Sequence, residues 1–94
     1  MINAINVGEI IYLTQRRFGE TKKLEIFVHL HKLGLTILPC PNELIFHAAE
    51  RKAEFPISNA DACALASAIE QGASLVTGDP EFKQVEHLVK IIWV

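Results

Sequence analysis

"LVTGDPEF", Leu75 to Phe82, decides how this chain is read. Two apolar residues run into a threonine, a glycine and an aspartate, and a proline follows. An apolar run of this kind is a strand, and it ends abruptly on an acid. The position is conspicuous because the chain has only two aspartates, Asp61 and Asp79, against nine glutamates. In parallel α/β sheets, ligands bind beyond the carboxyl ends of the strands, which is where Asp79 falls. Working upstream, Ser58 precedes Asp61 by three residues and opens "ADACALASAIEQG", a near capping box in front of an alanine-rich helix. That helix feeds the strand "ASLVT" (73–77), and "KIIWV" (90–94) is the last strand.

Both strands are almost continuously apolar without alternation, the pattern of strands covered on both faces of a parallel sheet. Further upstream, residues 2–17 and 20–34 read as helices stopped by Gly19 and Gly34. "LTIL" (35–38) reads as a short strand closed by Pro39 and Pro41, and a third helix covers about 42–53. Helices alternating with short buried strands make an α/β layered domain with a parallel sheet. The chain is read as a single domain, 1–94, with no linker or repeat. It starts on a helix, and that helix is apolar nearly all round, which suits burial on more than one face.

The bulk numbers exclude several classes. A net charge of −2 sets up no global attraction to nucleic acid or an anionic membrane, so a polyanion is held locally or through cations. No apolar run reaches the roughly 18 residues of a membrane span, and no export signal is present. Cys40 and Cys63 form no CxxC pair and read as reduced thiols of a cytoplasmic protein. There is no phosphate loop, dinucleotide fingerprint, nucleophile elbow or zinc pattern. His29 and His31, two apart on a helix, point to different faces and do not share a metal.

Three acids remain, each with two readings. Asp61 caps its helix, or ligates a cation from the helix start. Asp79 makes an Asx-turn before Pro80, or delivers a carboxylate past the strand end. Glu9 falls on the helix face of Ile2, Ile5, Tyr12 and Leu13, where it pairs with Arg16, turns to water, or meets a metal. Taken together they suit a hard cation, because Mg²⁺ and Mn²⁺ take oxygen ligands.

The stretches "NAINVGEIIYLTQRR", "ISNADACALASAIEQGASLVTGDPEFKQVE" and "VKIIWV" together resemble the PIN domain, the metal-dependent ribonuclease fold of VapC-type toxins. The carriers are Gly8–Glu9, Ala60–Asp61–Ala62, and the Thr77, Asp79, Phe82 set, in the family's order and over essentially the whole chain. The resemblance implies a three-layer α/β fold with a parallel sheet. It also implies a truncation, since PIN domains begin with a central strand whose aspartate ligates metal, and no aspartate is left for that role. By resemblance, Glu9, Asp61 and Asp79 are catalytic and ligate Mg²⁺ or Mn²⁺, Thr77 orients Asp79, and the substrate is RNA. Arg16, Arg17, Lys22 and Lys23 are weaker candidates for RNA phosphates, against the reading of a solvated helix end. The implied role is a toxin ribonuclease with an antitoxin-like partner. The alternative is an inactive PIN-derived module that works by homo-oligomerisation or partner binding through exposed sheet edges.

Overall fold

The computed structural model describes residues 1–94, in two compact units, Met1–Cys40 and Pro41–Val94. The first unit is a helical hairpin on a minimal sheet. Strand β1 (Ile2–Asn3) pairs in parallel with β2 (Ile37–Leu38), Ile2 opposite Ile37 and Asn3 opposite Leu38. Helix α1 (Ala4–Phe18) and helix α2 (Glu20–Lys32) lie between them in sequence and pack on each other. The expectation that residues 2–17 are all helical is therefore corrected. Asn3 has extended backbone, and its side chain accepts a hydrogen bond of 2.8 Å from the Ile5 N–H. A capping asparagine fixes the helix start one residue later, and the chain ahead of it is free to form strand. Gly19, with φ of +91°, ends α1 and lets α2 begin in a new direction.

Two expectations about burial also change. Along α1 the covered side is Val7 with half-buried Asn6, Ile10, Ile11 and Thr14, a stripe at helical spacing. Tyr12 and Leu13 are exposed, as is Glu9, while Ile2 and Ile5 of the same face are half-buried, so Glu9 itself faces solvent and demands no counter-charge. Arg16 does not pair with Glu9 but donates to the Tyr12 hydroxyl at 2.7 Å.

In the second unit, helix α3 (Asn42–Glu54) packs on helix α4 (Asn59–Gln71), which leads to β3 (Leu75–Thr77), a 3-10 helix (Pro80–Val85) and β4 (Ile91–Trp93). Strands β3 and β4 pair in parallel, Leu75 opposite Ile91 and Thr77 opposite Trp93. The parallel α/β arrangement expected from the apolar strands is present, but the double cover is not. Val76 is 60% exposed and Ile92 47% exposed, because each sheet has two short strands and one face lies open. The core is elsewhere: Leu44 and Ala48 of α3, Ala62, Cys63, Leu65 and Ala66 of α4, and Phe82, Val85 and Val89 further on. Helix α4 supplies most of this core, chiefly small residues, and its Leu65 is fully covered.

Candidate metal centre

Helix α4 is fixed at both ends, which determines where Asp61 stands. Ser58 is the N-cap, and its hydroxyl oxygen accepts from the Asp61 N–H at 3.1 Å. At the other end Gly72 has left-handed backbone (φ +60°), with its N–H on Ile69 O and the Ala73 N–H on Ala68 O. This is the paired closure of a Schellman motif, and a side chain at 72 would strain it. Between the caps, Ala62, Cys63 and Leu65 are buried, so the helix cannot roll about its axis without losing its core. Asp61, half-buried in the first turn, keeps a fixed bearing.

Asp79 is held by different means. The Val94 N–H bonds to Thr77 O at 3.1 Å and extends the β3–β4 pairing to the strand end. Thr77 Oγ1 accepts from the Asp79 N–H at 3.1 Å, and Asp79 Oδ1 accepts from the Glu81 N–H at 2.9 Å. Pro80 supplies the fixed φ of a helix start, and Phe82 and Val85 anchor the 3-10 turn in the core. Gly78 does not use positive φ here. A Cβ on it would lie 3.1 Å from the main-chain oxygen of Val94, so any glycine preference here rests on that close approach, which the exposed Val94 would have to yield by a few tenths of an ångström, rather than on turning. The Asx-turn and the delivery of a carboxylate are thus compatible, since Oδ1 makes the turn and Oδ2 is left over.

The two aspartates converge. One carboxylate oxygen from each of Asp61, Asp79 and Glu81 lies within 4.8 Å of the others. Asp61 and Asp79 are half-buried and Glu81 is exposed. Burial raises the pKa of Asp61 above its ordinary value, a hydrogen bond with the Ser58 side chain lowers it, and the nearby charge of Asp79 raises it. The net direction is upward, set chiefly by burial. Three convergent carboxylates and no nitrogen or sulfur donor form an oxygen-only set, which suits Mg²⁺ or Mn²⁺ better than softer metals.

Glu81 was missed by the sequence reading, although its signal was present. An acid at the second position of a 3-10 turn that starts on Asp79 projects back toward the same turn. Glu9 lies on the exposed side of α1 in the first unit. The four basic residues around the α1–α2 junction all have local partners. Arg16 sits over Tyr12, Arg17 over the Phe18 ring at 6.0 Å, Lys22 pairs with Glu25 at 3.0 Å, and Lys23 with Glu20 at 3.9 Å. His31 is engaged likewise, its Nδ1 2.9 Å from Phe27 O.

No helix is long and apolar enough to cross a membrane. A family model described as the PIN domain matches residues 1–88, a span that covers Glu9, Asp61, Thr77, Asp79 and Glu81. Searches of curated proteins and of solved structures found no match. A match over that much of the sequence, with two of the expected acids brought together, makes this chain a member of the PIN domain family.

Proposed function

We propose that this chain is a metal-dependent endoribonuclease of the VapC toxin kind, acting in the cytoplasm, with Asp61 and Asp79 as ligands of Mg²⁺ or Mn²⁺. PIN domains are in general metal-dependent nucleases that act on RNA, and membership supplies the reaction class. The observation that carries the reading is the approach of Asp61 and Asp79, from a helix start and a strand end, to within 4.8 Å together with Glu81. Glu81 joins them in this proposal, and Glu9 is retained as the ligand that the PIN motif implies. The two compact units are read as parts of one PIN domain, because the family match spans both.

A bound divalent cation would polarise a phosphate and lower the pKa of an attacking water. The chain's own groups have simpler tasks. Asp61 and Asp79 supply fixed negative charge, and Thr77 and the Glu81 N–H restrain the Asp79 turn and carboxylate. Arg16 and Arg17 have no carboxylate partner, which leaves their guanidinium charge available to RNA phosphates. An antitoxin-like protein would regulate such an enzyme.

The test is cleavage of a fluorophore-labelled single-stranded RNA in Mn²⁺. Cleavage that stops with EDTA, and in the Asp61→Asn/Asp79→Asn variant, supports the reading. No cleavage by the wild type, or equal cleavage by the variant, sinks it. A second reading, an inactive module that works by self-association or partner binding, is favoured by the open face of β3–β4, where Val76, Ile92 and Trp93 are exposed. It predicts an oligomer that persists in the same double variant and no cleavage by either protein.

A further inference from the structure

The acids of the metal centre repel any polyanion brought to them. Asp61, Asp79 and Glu81 converge with three negative charges, and one divalent cation leaves one of these uncompensated. An RNA strand laid over the centre therefore needs a cation from the protein nearby. Within the second unit, Arg51 is taken by Glu54 at 3.5 Å. Lys90 stands just ahead of β4, at the opposite end of the parallel sheet from Asp79. Lys52, exposed toward the end of α3, is held by a neutral group instead: its Nζ donates to Asn59 Oδ1 at 3.0 Å.

A neutral partner positions the ammonium without cancelling its charge, and two of its three N–H groups remain for another acceptor. Only the amide oxygen of Asn59 can accept from an ammonium, so its Nδ2 hydrogens face the other way as two further donors. Donors gathered around one uncancelled positive charge are the chemistry that recognises phosphate. Helix α4 sets their place. Asn59 is its first residue and Asp61 its third, about 3 Å of rise apart. Residues two apart point to different sides of a helix, which keeps Lys52 from pairing with the Asp61 carboxylate. The donors stand beside the metal centre and not in it, so a strand that meets the cation with one phosphate offers them a neighbouring one.

We propose that Lys52 and Asn59 form a clamp for an RNA phosphate beside the metal centre, next in the strand to the phosphate that the cation would engage. The clamp rests on the ribonuclease reading for its ligand, but its test does not need cleavage.

Fluorescence anisotropy of a labelled single-stranded RNA, over a series of salt concentrations, reads the clamp in the Asp61→Asn/Asp79→Asn chain, which keeps the pair and loses the metal centre. Adding Lys52→Gln should weaken binding about fivefold. It should also reduce the slope of log K against log salt by about 0.7, the share of one phosphate contact on a single strand. Asn59→Asp should do the same, because the new carboxylate pairs with Lys52 and cancels its charge. Lys52→Arg should keep both affinity and slope. Lys90→Gln removes the same charge from the opposite end of the sheet and should leave the slope unchanged. Circular dichroism verifies the fold of each variant. A parent chain that binds no RNA overturns the proposal. So does Lys52→Gln binding with the parent's affinity and slope, or Lys90→Gln losing as much as Lys52→Gln. With both aspartates intact and Mn²⁺ present, Lys52→Gln should raise KM and leave kcat in place, since a neighbouring phosphate is held equally in ground and transition states. Absence of cleavage by the wild type there sinks the nuclease reading alone, and the binding result still judges the clamp.

Discussion

Replacing Asp79 by Asn should make the metal-free protein more stable and the metal-loaded protein less so. Asn keeps the side-chain oxygen that accepts from the Glu81 N–H, so the turn survives. What it removes is a negative charge within 4.8 Å of the Asp61 carboxylate. At that separation two unit charges repel by about 0.9 kcal/mol in the dielectric of water, and by more where solvent is partly excluded. For a domain of this size each kcal/mol moves the Tm by about 4–8 °C, so Asp79→Asn should melt roughly 4–7 °C above wild type in EDTA. Mn²⁺ at a hundred times its Kd adds about 2.7 kcal/mol to a protein that binds it only when folded. The wild type should then overtake the variant by a margin on the order of 10 °C. Scanning fluorimetry at pH 7 and low salt, with EDTA and then with Mn²⁺, reads both differences. A variant that melts below wild type in EDTA would refute the repulsion argument. An equal Mn²⁺ shift in both proteins would refute the site.

Other outcomes follow from single contacts. Gly8 sits inside α1, and a Cβ added there would meet nothing within 4 Å, so Gly8→Ala should stabilise by about 0.5–1 kcal/mol, read as a higher urea midpoint. Ser58→Ala removes the α4 cap and should cost about 1 kcal/mol, with the Asp61 pKa rising further as its hydrogen bond is lost. Because the folded-state pKa of Asp61 is raised, the folded protein binds the proton more readily than the unfolded chain. Metal-free stability from this group should therefore increase as pH falls through the raised value toward about 3.9, and Asp61→Asn should remove that part of the pH dependence. Leu65→Ala, at a fully covered position of α4, should cost about 2–5 kcal/mol and show as a collapse of the thermal transition.

Local signals in the sequence were read well where one residue controls one feature. Ser58 and Gly72 bound α4, Gly19 divides α1 from α2, and "TGDP" marks the end of β3 as a place where an acid is presented. The errors came where side-chain character was taken as a proxy for burial. Continuous apolar runs at 75–77 and 91–93 suggested cover on both faces, yet Val76 and Ile92 are open, since a run of apolar residues states what a strand can bury and not what is there to bury it. The same inference overstated the cover of α1, where burial on more than one face was expected but Tyr12 and Leu13 are open and the stripe through Val7, Ile10 and Thr14 is the covered one. Glu81 escaped notice because it belongs to the site only after the 3-10 turn folds it back onto Asp79, a step that depends on Pro80 and the burial of Phe82.

The proposed chemistry depends on Asp61, Asp79 and Glu81 holding a divalent cation. Calorimetric titration of Mn²⁺ into the wild type, beside the Asp61→Asn/Asp79→Asn variant with folding verified for both, tests it most directly. Saturable heat in the wild type, absent from the variant, is expected if the three carboxylates hold the ion. Indistinguishable traces from the two proteins would contradict it.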